Sequence, residues 1–355
     1  MVDGTAAIIG AGIGGLACAL ALRRQGWATT VFEREAGVSG AGTALGMWPS
    51  ALTALDALGL GDRVRQLGQR QRSGEFRRPD GTRLGVIDVA RLERRSGDPV
   101  YLLSRPALLG VLQDALDDGV VHFRSPVEDV APLQDEFDLV VAADGVFSRV
   151  RQELFGDTYR ARYTGSTAWR GWVENMPTDS FTETWGVGAK FGVTPQEGGR
   201  TNWYATTTAA EGSFSPGAEL SRLRALFGTW SPPVRDVLDA IEEVDILRHD
   251  LFAVPLLPTF VTDRVSLIGD AAHGMPPDLG RGACEALIDA VTLATSVDRA
   301  ATLPDGLRDY SALRRRRVQR LVGMTHAAAR LSRMRRPLWL RDTMLRMSLL
   351  VPPPA

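Results

Sequence analysis

Three clusters of glycine and acidic residues hold the chemistry that can be read from this chain. The first is Gly10-Ala11-Gly12-Ile13-Gly14-Gly15, followed further on by Glu33. A Gly-x-Gly-x-x-Gly run suits a dinucleotide: Gly10 permits a tight turn, Gly12 lets backbone approach a pyrophosphate, and Gly15 lets a helix pack closely on a strand. The phosphates then rest at the helix N-terminus, where free N–H groups and the helix dipole favour negative charge. A carboxylate such as Glu33, at the end of the next strand, fits a pair of ribose hydroxyls. The motif alone does not separate FAD from NAD. The second cluster is Asp144-Gly145-Val146-Phe147-Ser148-Arg149. The third runs from Gly269-Asp270-Ala271-Ala272-His273 through Pro276-Pro277-Asp278 to Gly280-Arg281-Gly282-Ala283-Cys284-Glu285. An acid at a strand end can hold a polyol hydroxyl. A Pro-Pro turn followed by Gly280 and Gly282 exposes backbone at a helix start, which suits an electron-rich ring edge.

These clusters need strands and helices to bring them together. Residues 5–9 read as a buried strand, 13–25 as an Ala- and Leu-rich helix and 28–32 as a second strand, which makes a β-α-β unit. Helices are expected at 49–58 and 105–117, and further buried strands at 138–142 and 264–268. Pro79-Asp80-Gly81 marks a turn between two short strands. From 160 to 210 the chain alternates in short segments rich in Thr, Trp, Phe and Tyr, the pattern of an antiparallel sheet. Residues 218–241 and 282–349 read as helical. An α/β pattern, then sheet, then α/β again predicts a discontinuous nucleotide-binding domain with a second domain inserted. The first would comprise 1–75, 101–160 and 263–355, the last with the C-terminal helices. The second would comprise a hairpin at 76–100 and a sheet at 161–262.

Composition narrows the classes. The 355 residues are 44% hydrophobic and 23% charged, with a formal net charge of −1, so no overall field favours nucleic acid or an anionic membrane. Cys18 and Cys284 sit in apolar stretches and form neither a disulfide framework nor a metal-ligand spacing, so no metal is expected. No secretory leader is legible at the N-terminus, and no apolar run reaches the roughly 18 to 20 residues that span a bilayer. The expectation is a cytoplasmic protein, a monomer or weak dimer, acting on a small molecule.

Taken in order, GxGxxG, DGxxSxxR and GDAAHxxxPxxGxG resemble the group A flavoprotein monooxygenases of the para-hydroxybenzoate hydroxylase family over essentially the whole chain. The similarity is greatest to short members such as FAD-dependent urate hydroxylase, salicylate hydroxylase and zeaxanthin epoxidase. It implies an α/β fold: a Rossmann-type FAD-binding domain (GR2-like) with an inserted antiparallel β-sheet substrate domain and a C-terminal helical region. It also implies bound FAD, a transient NADPH or NADH, and O2 used through a flavin C4a-hydroperoxide to hydroxylate or epoxidise an aromatic or other electron-rich substrate. Carried over by position, Gly10, Gly12, Gly14 and Gly15 would cradle the pyrophosphate. Glu33 and Arg34 would lie along the adenosine half, with Val127 backbone at adenine. The stretch containing Gly42, Gly46 and Met47 would pass the flavin. Arg105 would contact the cofactor, Asp144 would serve FAD and the nicotinamide, and Asp270 would bind the ribityl chain. Backbone N–H groups of Gly280, Gly282 and Ala283 would face the pyrimidine end. Relatives often carry Gln where this chain has Glu285. Facing the flavin, its charge would disfavour the reduced anion; facing solvent, it would do nothing.

For the substrate side, the resemblance points to Lys190, the chain's single lysine, as the cation that meets an anionic substrate. Asn202 lies at the matching place on the next strand. Strand alternation puts Lys190 and Gly192 on one face, opposite Phe191. Arg170, with Trp169 and Trp172, and Pro277 are further pocket candidates. His273 is a candidate base, although this motif more often uses it to support the loop. The basic run Arg314–Arg317, with later Arg330, Arg333, Arg335 and Arg336, reads as the solvated face of a packed helix, with peripheral membrane or partner binding as the alternative. Three other readings remain open: a flavin-dependent dehydrogenase or reductase, a halogenase on the same fold, and an FAD-binding protein without turnover. The halogenase motif WxWxIP is not matched by Trp169-Arg170-Gly171-Trp172.

Overall fold

The computed structural model describes residues 4–38, 40, 42 and 44–350. The strand Thr5–Ile9 lies at the centre of a six-stranded sheet. Parallel neighbours Ala28–Phe32 and Leu139–Ala142 flank it, and Val265–Leu267 extends the sheet in parallel. Short strands Val121–His122 and Val261–Thr262 close its two edges. Runs such as Leu-Val-Val-Ala suit a parallel strand buried on both faces, and all four of those residues are buried. The helix Ile13–Arg24 covers one face. Its Ala, Leu and Cys side chains are small enough to wedge between the sheet and the helix Gly282–Arg299, and most of them are buried.

A seven-stranded sheet forms the second layer. Its order is Leu247–Ala253, Arg162–Val173, Arg200–Thr208, Ala189–Gln196, Phe181–Trp185, Gly74–Arg77 and Arg83–Ile87. Neighbours pair antiparallel except at Phe181–Trp185 with Gly74–Arg77, which is parallel. That junction joins two separate stretches of chain, so no hairpin dictates its direction. The sheet's two faces differ. Trp169, Phe191 and Trp203 point to the back, where they form a second core with the helices Glu219–Phe227 and Val234–Ala240. The stretch 218–241, read as helical, holds these two helices, and Pro232-Pro233 lies in the break between them, since proline has no N–H for a helix interior.

Three antiparallel strands, Ala44–Met47, Tyr101–Ser104 and Gln69–Arg70, link the two layers. The last described elements are the helices Leu303–Ser332 and Leu338–Leu350. The first packs on the nucleotide-type layer, and the second lies against Arg83–Ile87 of the larger sheet. Among the described residues no helix is long and apolar enough to cross a membrane, and no group of side chains is arranged to hold a metal ion.

Candidate active site

The C-terminal ends of parallel strands are where α/β sheets receive ligands, because helix N-termini gather there. A cavity of about 2040 Å³ opens at that end, between the two sheets, and all three glycine-and-acid clusters border it. Gly10 sits at φ +105°, and a Cβ there would lie 2.6 Å from the Ala143 carbonyl oxygen. Gly12 faces open space, with nothing within 4 Å of where its Cβ would be. Gly14 also borders the cavity, beside Ala286. Gly15 does not border it: its Cα packs against the Gly10 carbonyl, so its part in the cradle is structural. Glu33 ties the turn together, accepting from Ala11 N at 2.7 Å through one oxygen and from Glu35 N at 2.9 Å through the other. Each carboxylate oxygen keeps a lone pair for a hydroxyl. Arg34 and Val127 continue this wall.

Two acids lack sufficient partners within the protein. Asp144 accepts from Arg149 N at 2.9 Å through Oδ2, while its buried Oδ1 has no partner. Burial raises its pKa. Asp270 opens into the cavity, and burial raises its carboxyl too, opposed by His273, Arg105 and Arg151. Buried polar atoms are rarely left unpaired, so Asp144 Oδ1 calls for a donor from a ligand, and Asp270, open to the cavity, can take a polyol hydroxyl. Gly280, at φ +60°, meets nothing within 4 Å, and a Cβ on Gly282 would meet only Asp270 Oδ1 at 3.9 Å. With Ala283 they expose the N-terminus of the helix Gly282–Arg299 to the cavity, a positive end for a reduced ring. Ser104 caps the helix that Arg105 begins, accepting from Ala107 N at 3.2 Å, and so fixes where Arg105 enters the cavity. A Cβ on Gly42 would lie 2.8 Å from Arg105 Cβ, so the chain can pass Arg105 only as glycine. Cys284 Sγ donates to the Gly46 carbonyl at 3.1 Å. An FAD-shaped dinucleotide fits this donor and acceptor set. Met47 corrects the sequence reading: its side chain is fully buried in the core, because strand alternation turns it away from the face that Gly46 presents.

His273 is buried and does not border the cavity. Its Nε2 lies 2.6 Å from Asp289 Oδ2, which also accepts from Gly269 N at 2.9 Å. Asp289 Oδ1 accepts from Arg314 Nε at 2.6 Å, Arg314 Nη2 reaches Glu285 at 2.6 Å, and Glu285 meets Arg281 at 3.1 Å. His273 is therefore a loop support and no base for a substrate. Glu285 faces neither cavity nor solvent; two arginines neutralise it. Despite its burial, the cations beside it hold Asp289 down at about 2, below its ordinary 3.8. A lowered carboxylate pKa stabilises the fold fully above the unfolded value, and that stability is lost as pH falls through the folded one. Acid unfolding followed by flavin release is thus expected to gain a step between pH 3.8 and about 2. An Asp289→Asn protein should lack that step; an unchanged acid profile counts against the network.

The front face of the larger sheet forms the opposite wall. Strand pairing sets Arg170 beside Tyr204, Tyr204 beside Gly192, and Gly192 beside Glu183. A Cβ on Gly192 would lie 2.1 Å from Tyr204 Cζ, so the missing side chain lets Tyr204 lie across the strand and donate to Glu183. Lys190, buried, sits 3.0 Å from Asp278 and 3.4 Å from Glu183. Trp185 Nε1 also donates to Glu183. Lys190 therefore already has two carboxylate partners. Asn202 borders the cavity, but its amide is occupied: Oδ1 accepts from Ala44 N at 3.0 Å and Nδ2 donates to Thr194 at 2.9 Å. It pins the strand leading to Gly46 onto the sheet. Arg170 and Pro277 line the cavity. The Trp169 ring turns to the back core and donates to Glu219 at 2.6 Å. Glu183, Asp278 and Tyr204 were not among the sequence candidates. The signal for Glu183 and Tyr204 was strand register, which pairs both with Gly192 and is set by partners that the sequence does not name; Asp278 arrives on the turn Pro277–Leu279, which no local pattern brings to Lys190.

Known proteins resemble this arrangement. The profile of the FAD binding domain family matches residues 3–138 and 136–325. An aurachin C monooxygenase/isomerase from Stigmatella aurantiaca is 32% identical over 360 residues, covering 97% of this chain and 94% of the relative. An FAD-dependent urate hydroxylase from Klebsiella pneumoniae is 32% identical over 340 residues, 89% of this chain and 87% of that one. The crystal structure of Klebsiella pneumoniae HpxO with FAD and uric acid superposes with a TM-score of 0.88 at 28% identity, over 97% of this chain and 92% of that one.

Proposed function

Since the chain belongs to the FAD binding domain family of group A flavoprotein monooxygenases, we propose that it uses NADPH or NADH and O2 to hydroxylate or epoxidise an aromatic or other electron-rich small molecule in the cavity between its sheets. The observation that carries this reading is convergence: the glycine turn at 10–15, Asp144 and the Asp270–Gly282 segment all open on one cavity that continues onto the Lys190 face. When bound, FAD supplies a two-electron carrier that accepts hydride and passes one oxygen atom from O2 to the substrate. The chain's own residues bind and orient. Gly10, Gly12 and Gly14 with the following helix N-terminus hold the pyrophosphate, and Glu33 with Arg34 and Val127 flanks the adenosine. Asp270 would take hydroxyls of the ribityl chain, and Asp144, with its unpaired Oδ1, would serve FAD and the passing nicotinamide. The N–H groups at Gly280–Ala283 offset negative charge at the pyrimidine edge. The apolar walls exclude water from the reacting face.

The test is oxygen uptake by the FAD-loaded protein with reduced nicotinamide and a panel of phenols and heteroaromatics, using labelled O2. Substrate-dependent uptake with one labelled oxygen in the product is expected. Substrate turnover without label would assign a dehydrogenase or reductase instead, and flavin that stays oxidised throughout would leave a binding protein without turnover.

A further inference from the structure

The charge around Lys190 is unusual for a substrate-binding lysine. One ammonium faces two carboxylates, Asp278 at 3.0 Å and Glu183 at 3.4 Å, all three nearly buried, so the group carries one negative charge in excess. Tyr204 adds a hydroxyl that donates to Glu183, and its own ionisation is pushed well up by burial and by that carboxylate. Asp278 is held through Oδ1, which also accepts from Ser332 at 3.2 Å; its Oδ2 has no hydrogen-bond donor among the described residues. An anion entering here would lose its hydration and meet a like charge. Arg105 and Arg170 have no ion pair among the described residues, and they stand elsewhere. Arg105 lies within electrostatic reach of Asp270 and Arg170, and Arg170 is three strands from Glu183, about 14 Å at the usual strand spacing.

Beyond the carboxylates the same cavity turns apolar. Met324 and Leu331 of the helix Leu303–Ser332, Met344 and Leu345 of the last helix, and Phe76 and Ile87 of the hairpin strands line it. Met324 and Met344 are each 46% exposed and mark an outer mouth. Polar acceptors at one end and an apolar channel at the other describe an amphipathic occupant.

We propose that the substrate is an uncharged aromatic with a hydroxyl or ring N–H, which donates to Asp278 beside the Lys190–Glu183–Tyr204 group, and with an apolar extension that lies along the channel between the C-terminal helices and the hairpin. This rests on the cavity's being the oxygen-transfer site. The charge already paired to Lys190 selects against carboxylate-bearing substrates, and the channel selects for length.

Calorimetric titration of the FAD-loaded protein tests it, with para-alkylphenols of increasing chain length against para-alkylbenzoates of equal length, whose carboxylate takes the place of the hydroxyl. Each phenol is expected to bind at least about tenfold tighter than its carboxylate twin. Affinity should rise roughly three- to fourfold per added methylene until the channel is filled. Asp278→Asn should weaken the phenols and narrow the gap to the carboxylates; its flavin spectrum reports whether the variant is folded, and the wild-type comparison stands without it. Equal or tighter binding of the carboxylates, affinity independent of chain length, or no binding of either series overturns the proposal. If labelled oxygen is nonetheless incorporated into an anionic substrate, only this inference falls and the monooxygenase reading stands.

Discussion

A Gly15→Ala protein is expected to be purified without its flavin. A Cβ at this position would lie 1.9 Å from the Gly10 carbonyl oxygen, and that oxygen is backbone at the end of a central strand. No rotamer change relieves the overlap, so the helix Ile13–Arg24 must move off the sheet. The helix N-terminus and the Gly10 turn are the two halves of the phosphate cradle, and they would part. Overpacking of this kind costs about 3 kcal/mol, or about a hundredfold in FAD affinity if the strain is felt in the bound geometry. Intrinsic preference works the other way, since alanine favours a helix over glycine by about 1 kcal/mol. Gly110→Ala is the control: it also lies within a helix, but nothing is within 4 Å of its added methyl. It should keep both flavin and stability. Flavin absorbance per protein and FAD titration of the apoprotein measure the effect. A yellow Gly15→Ala protein with near wild-type affinity would contradict the proposed role of the turn.

Arg314→Met is expected to be the most destabilising single change in the C-terminal half. Arg314 is almost wholly buried and pairs at 2.6 Å with both Glu285 and Asp289. Removing it leaves Glu285 with Arg281 alone and strips Asp289 of its guanidinium. Breaking a buried pair on one side leaves an uncompensated charge in low dielectric, typically a loss of about 3–5 kcal/mol. Asp289 also holds Gly269 N, so the Asp270 turn should loosen with it. Urea unfolding of the apoprotein reads the stability and FAD titration reads the turn. An unchanged unfolding midpoint would show that the network contributes nothing net.

The same residue shows where the sequence stops being legible. Arg314 opens a run of four arginines that reads as a solvated face, yet it is the buried hub of the network. Position on the helix decided this, together with two acids brought from the neighbouring helix, and no local pattern encodes either. Lys190 is similar. The alternation that places it on the cavity face, opposite Phe191, is local and was legible. Glu183 arrives by pairing across a second strand and Asp278 from a loop nearly ninety residues on, so the charge that Lys190 offers is a property of the assembly.

What the sequence determined by itself was the set of short-range parts. Gly10 and Gly15 answer steric demands set by atoms a few residues away or on the adjoining strand, and Gly12 leaves open the space that a ligand would fill. Glu33 follows directly on the strand Ala28–Phe32, and Asp270 comes shortly after the buried strand Val265–Leu267; the order of these parts already specified a nucleotide-binding α/β layer interrupted by a sheet. What only the tertiary structure decided was which charges meet. His273 became a support once Asp289 lay 2.6 Å from it, Glu285 became harmless between two arginines, and Asn202 became a clamp on Ala44. The reason is physical: backbone conformation and hydrophobic period are written over a few consecutive residues, whereas ion pairing depends on distances between side chains far apart in sequence, which exist only after the layers have packed.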